Sequence, residues 1–275
     1  MTIAIPELMT IAIALDQGVA EIRLNRPERS NAINEAMWQE LRTAFAWADV
    51  TPEVRVAILS GAGRNFCAGI DLAMLASVGR TVAHADPARR HEALRRVILD
   101  LQDCLSCIER CRKPVLAAIQ GACIGGAIDL VTCCDMRYAA LDVQFSVREI
   151  DVGMTADVGT LQRLPRLVHD GIAREMAYTG RSVDAVEAKL IGLVNQLFET
   201  PGTLLDGVLQ IARTIAAKSP LAIRGTKEML NYGRDHSVAD GLNHVATWNA
   251  AMLMSADLEE AMAAMREKRA PRFAD

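Results

Sequence analysis

The stretch VLAAIQGACIGGAIDLVTCCDMRYAA, residues 115–140, reads as strand, glycine turn, helix and strand in immediate succession. Residues 115–119 form a short apolar run of the kind found in a strand covered on both faces. Gly121 and the pair Gly125-Gly126 lead into an apolar helix over 127–132, and residues 135–140 read as the next strand. Upstream, the apolar run 54–59 is followed by the Gly-rich loop SGAGRNFCAGID, residues 60–71, which repeats the passage from a strand through a loop into a helix.

The flanking segments fit an α/β chain. Residues 10–15 and 19–24 read as a hairpin around Asp16-Gln17-Gly18. Residues 34–50 carry Met37, Leu41, Phe45 and Ala48 at helical spacing, with Pro52 just beyond. A long amphipathic helix over 87–111 aligns Leu94, Val97, Ile98, Leu101, Leu105 and Ile108. Further strands are expected at 143–147 and 193–198, and helices at 204–217, 220–232, 238–254 and 258–268. Thr200-Pro201-Gly202 divides a site-bearing core, 1–200, from a C-terminal helical region, 201–275.

Composition narrows the function classes. The 275 residues are 51% apolar, 23% charged and 4% aromatic, with a net charge of −4, which argues against stacking on nucleobases or gripping a phosphate backbone. No run of 18 apolar residues is present, so no membrane span is expected. The N-terminal MTIAIPELMTIAIALD lacks a basic leader, PRFAD is not a peroxisomal address, and the seven cysteines follow no disulfide framework. These features set a reducing cytoplasm as the expected location. Cys104, Cys107 and Cys111 share one helical face, which suits packing better than a metal site because no histidine cluster accompanies them. The glycines at 121, 125 and 126 lack dinucleotide-fingerprint spacing, and no Walker lysine is present.

The candidate chemistry lies in three acids set among apolar neighbours: Asp129, Glu149 and Asp157. A buried carboxylate is costly, so each needs a partner or a purpose. The loops at Ile70 and Gly126 each precede a helix, where free N–H groups and the helix dipole favour negative charge. Two such donors converging on one oxygen make an oxyanion hole. Taken singly, each acid also has a structural reading. Asp157 reads as a helix N-cap, Asp129 as compensation of a helix dipole, and Glu149 as an exposed acid at a strand end.

The segments LNRPERSNAIN, NFCAGIDL, QGACIGGAIDLVTCCDMRYA, REIDVGMTADVGTLQRLP and SPLAIRGTKEMLNY, in this order, resemble the enoyl-CoA hydratase/isomerase (crotonase) superfamily. Its hydratases usually have Glu where this chain has Asp129 and Gly where it has Asp157. The three acids together are similar to those of the Δ3,5-Δ2,4-dienoyl-CoA isomerases. The resemblance implies a crotonase spiral of ββα repeats with a C-terminal helical region. It also implies trimers pairing into hexamers, and an acyl-CoA thioester held by the backbone N–H groups of Ile70 and Gly126.

The same resemblance implies proton transfer between C2 and C6 by Glu149 and Asp157, with Asp129 orienting substrate or carboxylate. Analogy favours Glu149 at C2, while the sequence leaves the order open. No metal or redox cofactor is expected, CoA being part of the substrate. Arg29, Ala68, Asp71 and Lys227 are the candidate CoA contacts, although Asp71 also reads as a helix-start residue and Arg29 and Lys227 as solvated charges. An enoyl-CoA hydratase, or a broad-specificity crotonase enzyme, is the rival enzyme. A crotonase-like RNA- or protein-binding module is the rival outside catalysis, disfavoured by the charge, the few aromatics and the intact acids.

Overall fold

The opening hairpin pairs β1 (Ile11–Asp16) with β2 (Val19–Leu24) in antiparallel register, and Gln17 and Gly18 take the positive φ angles that its tight turn requires. The computed structural model describes residues 4–275. After the hairpin come α1 (Glu35–Val50), β3 (Val56–Gly61), α2 (Leu72–Thr81), α3 (Pro87–Arg110), β4 (Val115–Ile119), β5 (Ala122–Ile124), α4 (Gly126–Cys133), β6 (Met136–Ala140) and β7 (Gln144–Ser146). The chain continues through α5 (Thr160–Arg163), α6 (Asp170–Thr179), β8 (Val183–Asp184), α7 (Ala185–Leu190) and β9 (Gln196–Phe198). It closes with α8 (Pro201–Ala216), α9 (Pro220–Tyr232), α10 (Val238–Met252) and α11 (Ala256–Glu267).

Two sheets result. The larger has the order β1-β2-β3-β4-β6-β9 and is parallel from β2 onward; the smaller is β5-β7-β8. Between Ile119 and Ala122 the chain steps from the large sheet to the small one, which displaces the glycine pair from the plane of β4. Expected strands and helices recur with ends shifted by a few residues, and the two-residue β8 carried no apolar run to announce it.

Alternation along the central strands sets the layers. Ala57 and Leu59 of β3, with Val115, Ala117 and Ile119 of β4, face the main core under α1, α3 and α4. Val56, Ile58, Leu116 and Ala118 face the other way. That second face is covered by α8 through Leu204, Val208, Ala212 and Ala216, a stripe repeating every four residues. α8, on the far side of the expected boundary at residue 200, thus packs directly against the sheet.

Beyond α9 burial thins out. Trp248 lies so close to Gly225 that a Cβ there would approach its Nε1 to 2.6 Å, which joins α10 to α9. Yet α10 buries none of its residues, and Val238, Leu242, Met254 and Met265 are exposed.

Candidate active site

Asn31 holds the first donor loop in shape. Fully buried and at φ +54°, it donates through Nδ2 to the carbonyls of Ala62, Asn65 and Phe66 at 2.9–3.0 Å, and its Oδ1 accepts from Arg26 N–H. Ile33 N–H then donates to Gly69 O at 2.8 Å, and Asp71 N–H to Ile33 O at 3.0 Å. Extended backbone alternates the direction of its amides, so the Ile70 N–H points away from Ile33. The second loop is bound to the first by Cys67 N–H to Ala122 O and Ile124 N–H to Cys67 O, and Gly126 N–H opens α4. Among the described residues neither the Ile70 nor the Gly126 amide donates to a protein acceptor.

Glycine permits this approach. A Cβ on Gly69, at φ +91°, would stand 2.6 Å from Ile124 O and 3.3 Å from Gly126 N. A Cβ on Gly126 would lie 3.6 Å from Ile70 N. The two free amides are thus neighbours, and any side chain at Gly69 would push their loops apart.

The carboxyls gather beside them. Gly125, at φ +56°, leaves room for Glu149, whose Oε1 would be 3.4 Å from a Cβ at that position. Asp129, three residues into α4 from Gly126, is wholly buried; its Oδ1 accepts Thr160 N–H at 2.5 Å and its Oδ2 has no partner among the described residues. Burial pushes the Asp129 carboxyl up to about 7, against the opposing Thr160 hydrogen bond and with the Glu149 and Asp157 charges adding. Glu149 is raised by burial and then by the Asp157 charge, and its buried Oε2 has no partner among the described residues. Asp157 is raised by burial. Its backbone carbonyl accepts a hydrogen bond from Gln102 Nε2 at 2.6 Å.

These contacts revise the bland readings. Asp157 is not a helix cap: α5 begins at Thr160 after Gly159, with no side-chain cap of its own, and the Thr160 amide is met by Asp129. Asp129 thus serves the start of α5 rather than only its own helix. Glu149 is half-buried, not a solvated strand end.

The expected CoA contacts divide. Arg29 and Ala68 are exposed; the Ala68 amide donates to Ser30 O at 2.9 Å, leaving its carbonyl for a ligand. Asp71 caps α2 by accepting Ala73 N–H at 3.0 Å and pairs with Arg26 at 3.2 Å, so helix-start stabilisation accounts for it. Lys227 is corrected. Its ammonium is buried, 2.8 Å from Asp135 and bonded to Lys113 O, which fastens α9 to the start of β4 and leaves it neither solvated nor available to a phosphate. The cysteine face is a packing face: Cys104 and Cys111 are buried and Cys107 half-buried. Asn31, Gln102 and Thr160 escaped the sequence reading; only Asn31, in SNAIN, carried a local signal, as a residue tolerant of positive φ.

Comparison with known proteins places the chain in a family. The family model described as enoyl-CoA hydratase/isomerase matches residues 14–275. The chain is 48% identical to the peroxisomal Delta(3,5)-Delta(2,4)-dienoyl-CoA isomerase of Arabidopsis thaliana, covering 94% of each chain. It is 45% identical to the mitochondrial Delta(3,5)-Delta(2,4)-dienoyl-CoA isomerase of Homo sapiens, over 91% of this chain and 77% of that one. Among solved structures, an enoyl-CoA hydratase from Bacillus anthracis superposes with a TM-score of 0.87 at 31% identity, covering 97% of this chain and 99% of the other.

Proposed function

The chain belongs to the enoyl-CoA hydratase/isomerase family, and from that premise we propose that it isomerises 3,5-dienoyl-CoA to 2,4-dienoyl-CoA. The observation carrying this reading is the third acid: Asp157 shares one partly buried region with Glu149 and Asp129, beside two unoccupied amide donors. The similarity to dienoyl-CoA isomerases supports it.

In the proposed reaction the Ile70 and Gly126 amides hold the thioester oxygen. Glu149, against Gly125 and so beside that oxygen, takes a proton from C2, which is acidified by both the carbonyl and the diene. The electron pair passes through C3–C6 and the thioester oxygen as an extended enolate, the charge the two donors stabilise. Asp157, farther along the acyl chain, delivers a proton to C6. The C3=C4 and C5=C6 bonds become C2=C3 and C4=C5, now conjugated with the carbonyl. Glu149 starts ionised and Asp157 protonated, because two neighbouring acids in a partly apolar site titrate as a coupled pair. Asp129 orients the segment bearing Asp157 through the Thr160 amide.

Carboxyls and backbone donors supply each step, so the reading calls for no metal or redox cofactor beyond the CoA of the substrate. The exposed apolar side chains of α10 and its flanks support a trimer or hexamer in which other copies cover them. The buried free thiols are compatible with a reducing cytoplasm, the proposed location.

The hydratase reading draws on the likeness to a solved enoyl-CoA hydratase. One experiment separates them: ultraviolet absorbance of the protein mixed with 3,5-dienoyl-CoA and, separately, with a 2-enoyl-CoA. The isomerase reading expects a new thioester-conjugated diene in the first cuvette. Rapid hydration in the second with no change in the first would replace it.

A further inference from the structure

Residues 154–159 carry Asp157 across the site without regular secondary structure. Among the described residues, Gly159 O accepts Gln162 N–H at 3.1 Å and Arg163 N–H at 3.0 Å, which ties the segment to α5, and three further hydrogen bonds hold it and the adjoining Thr160 to the body. Met154 N–H donates to Glu149 O at 3.0 Å, Thr160 N–H to Asp129 Oδ1 at 2.5 Å, and Gln102 Nε2 to Asp157 O at 2.6 Å. The first two act at the ends. Only Gln102 holds the residue that bears the acid.

Ala156 and Val158, on either side of Asp157, are buried, Val158 in the main core, while Asp157 itself is half-buried. Val158, Gly159 and Gln102 border a cleft of about 960 Å³ between α3, α5 and α9. Gly159 sits at φ +133°, a backbone conformation that other residues adopt only with strain. The helix supplying Gln102 is well anchored: α3 buries Cys104, Leu105 and Ile108, and Arg163 of α5 bonds Ser106 at 3.1 Å and Glu109 at 2.9 Å. A well-anchored helix thus holds the acid-bearing residue itself through one hydrogen bond.

We infer that Gln102 is a positioning residue that fixes Asp157 for proton delivery at the far carbon of the substrate. The inference rests on the proposed dienoyl-CoA isomerisation and goes beyond it by assigning the distal half-reaction its own support. Gln102 touches no reacting atom. Its amide bears on the carbonyl of residue 157, so it governs where the Asp157 side chain projects and leaves the Glu149 side, built on the glycine pair, untouched.

The test follows two reactions in the intact protein. Isomerisation of 3,5-dienoyl-CoA needs both acids. Exchange of the C2 hydrogens of a saturated acyl-CoA for deuterium, read by NMR in D₂O, needs only the donors and Glu149. Gln102→Met removes the donor, Gln102→Glu keeps the shape but only accepts, and Gln102→His keeps an N–H at similar reach. Misplacing a reacting group by about 1 Å costs on the order of 100-fold, so the Met and Glu variants should lose roughly 10- to 100-fold in isomerisation kcat with KM and C2 exchange near wild type. The His variant should recover most of the loss. Unchanged isomerisation in the Met and Glu variants overturns the inference, and so does a parallel fall of isomerisation and exchange, which marks a merely structural residue. A wild-type protein that exchanges C2 but leaves 3,5-dienoyl-CoA unconverted overturns the functional reading first, and this inference with it.

Discussion

Asn31 commits its side-chain Nδ2 to the loop that carries Ile70 and its Oδ1 to Arg26 N–H, whereas Asp129 and Glu149, across the site, each keep a buried carboxyl oxygen without a partner among the described residues. One wall is main chain, determined several times over by glycine geometry and hydrogen bonds. The other consists of carboxyls whose energies depend on one another's charge. The contrast teaches how the site divides its labour. Donors that must meet a developing charge without rearranging are best made of backbone. Acids that must trade a proton need pKa values lifted toward neutrality, and burial with mutual repulsion lifts them.

The acid wall breaks most sharply. Asp157→Asn preserves shape and removes the titrating group, and isomerase turnover should fall by roughly 100- to 10,000-fold, measured by absorbance with 3,5-dienoyl-CoA. The donor wall breaks at Gly69→Ala. The added methyl meets Ile124 O and a positive φ, and a loop displaced by about 1 Å should cost on the order of 100-fold in kcat. The fold should survive that change, as near-native circular dichroism would show.

A pH series sharpens the comparison, because only the acid wall titrates. Glu149 is raised above the ordinary carboxylate range by burial and by the Asp157 charge, so the acid limb of kcat/KM should lie above that range. Asp157→Asn removes that charge, and the acid limb read on C2 hydrogen exchange should move to lower pH. An unmoved limb would separate Asp157 from Glu149.

The smallest effect concerns stability. With a folded value of about 7 against an ordinary value near 3.8, Asp129 binds its proton more tightly in the native than in the unfolded chain. Its contribution therefore falls as pH rises between those values and stays unfavourable above them. Asp129→Asn keeps an acceptor for Thr160 N–H and lifts that penalty. Its melting temperature at pH 8 should exceed wild type by about 2 °C or more, with the gain vanishing near pH 4.

What the sequence disclosed follows the same division. Apolar runs announced β3 and β4, and helical spacing announced α1 and α3, because each pattern reflects burial by neighbours on the same element. The glycine pair and the three acids were visible as local anomalies. The three-residue strands β5 and β7 pair across 22 positions, too short to show their own period. Lys227 read as a solvated charge since its partner, Asp135, lies 92 residues away. Gln102 and Thr160 act on atoms 55 and 31 residues distant, and nothing at positions 102 or 160 hints at either bond.

The division of labour itself is tested most directly by NMR of the Asp157→Asn variant incubated with 3,5-dienoyl-CoA in D₂O. Deuterium entering C2 of recovered substrate, with no migration of the double bonds, is the predicted result. Double-bond migration at the wild-type rate, with deuterium delivered to C6, would contradict the account.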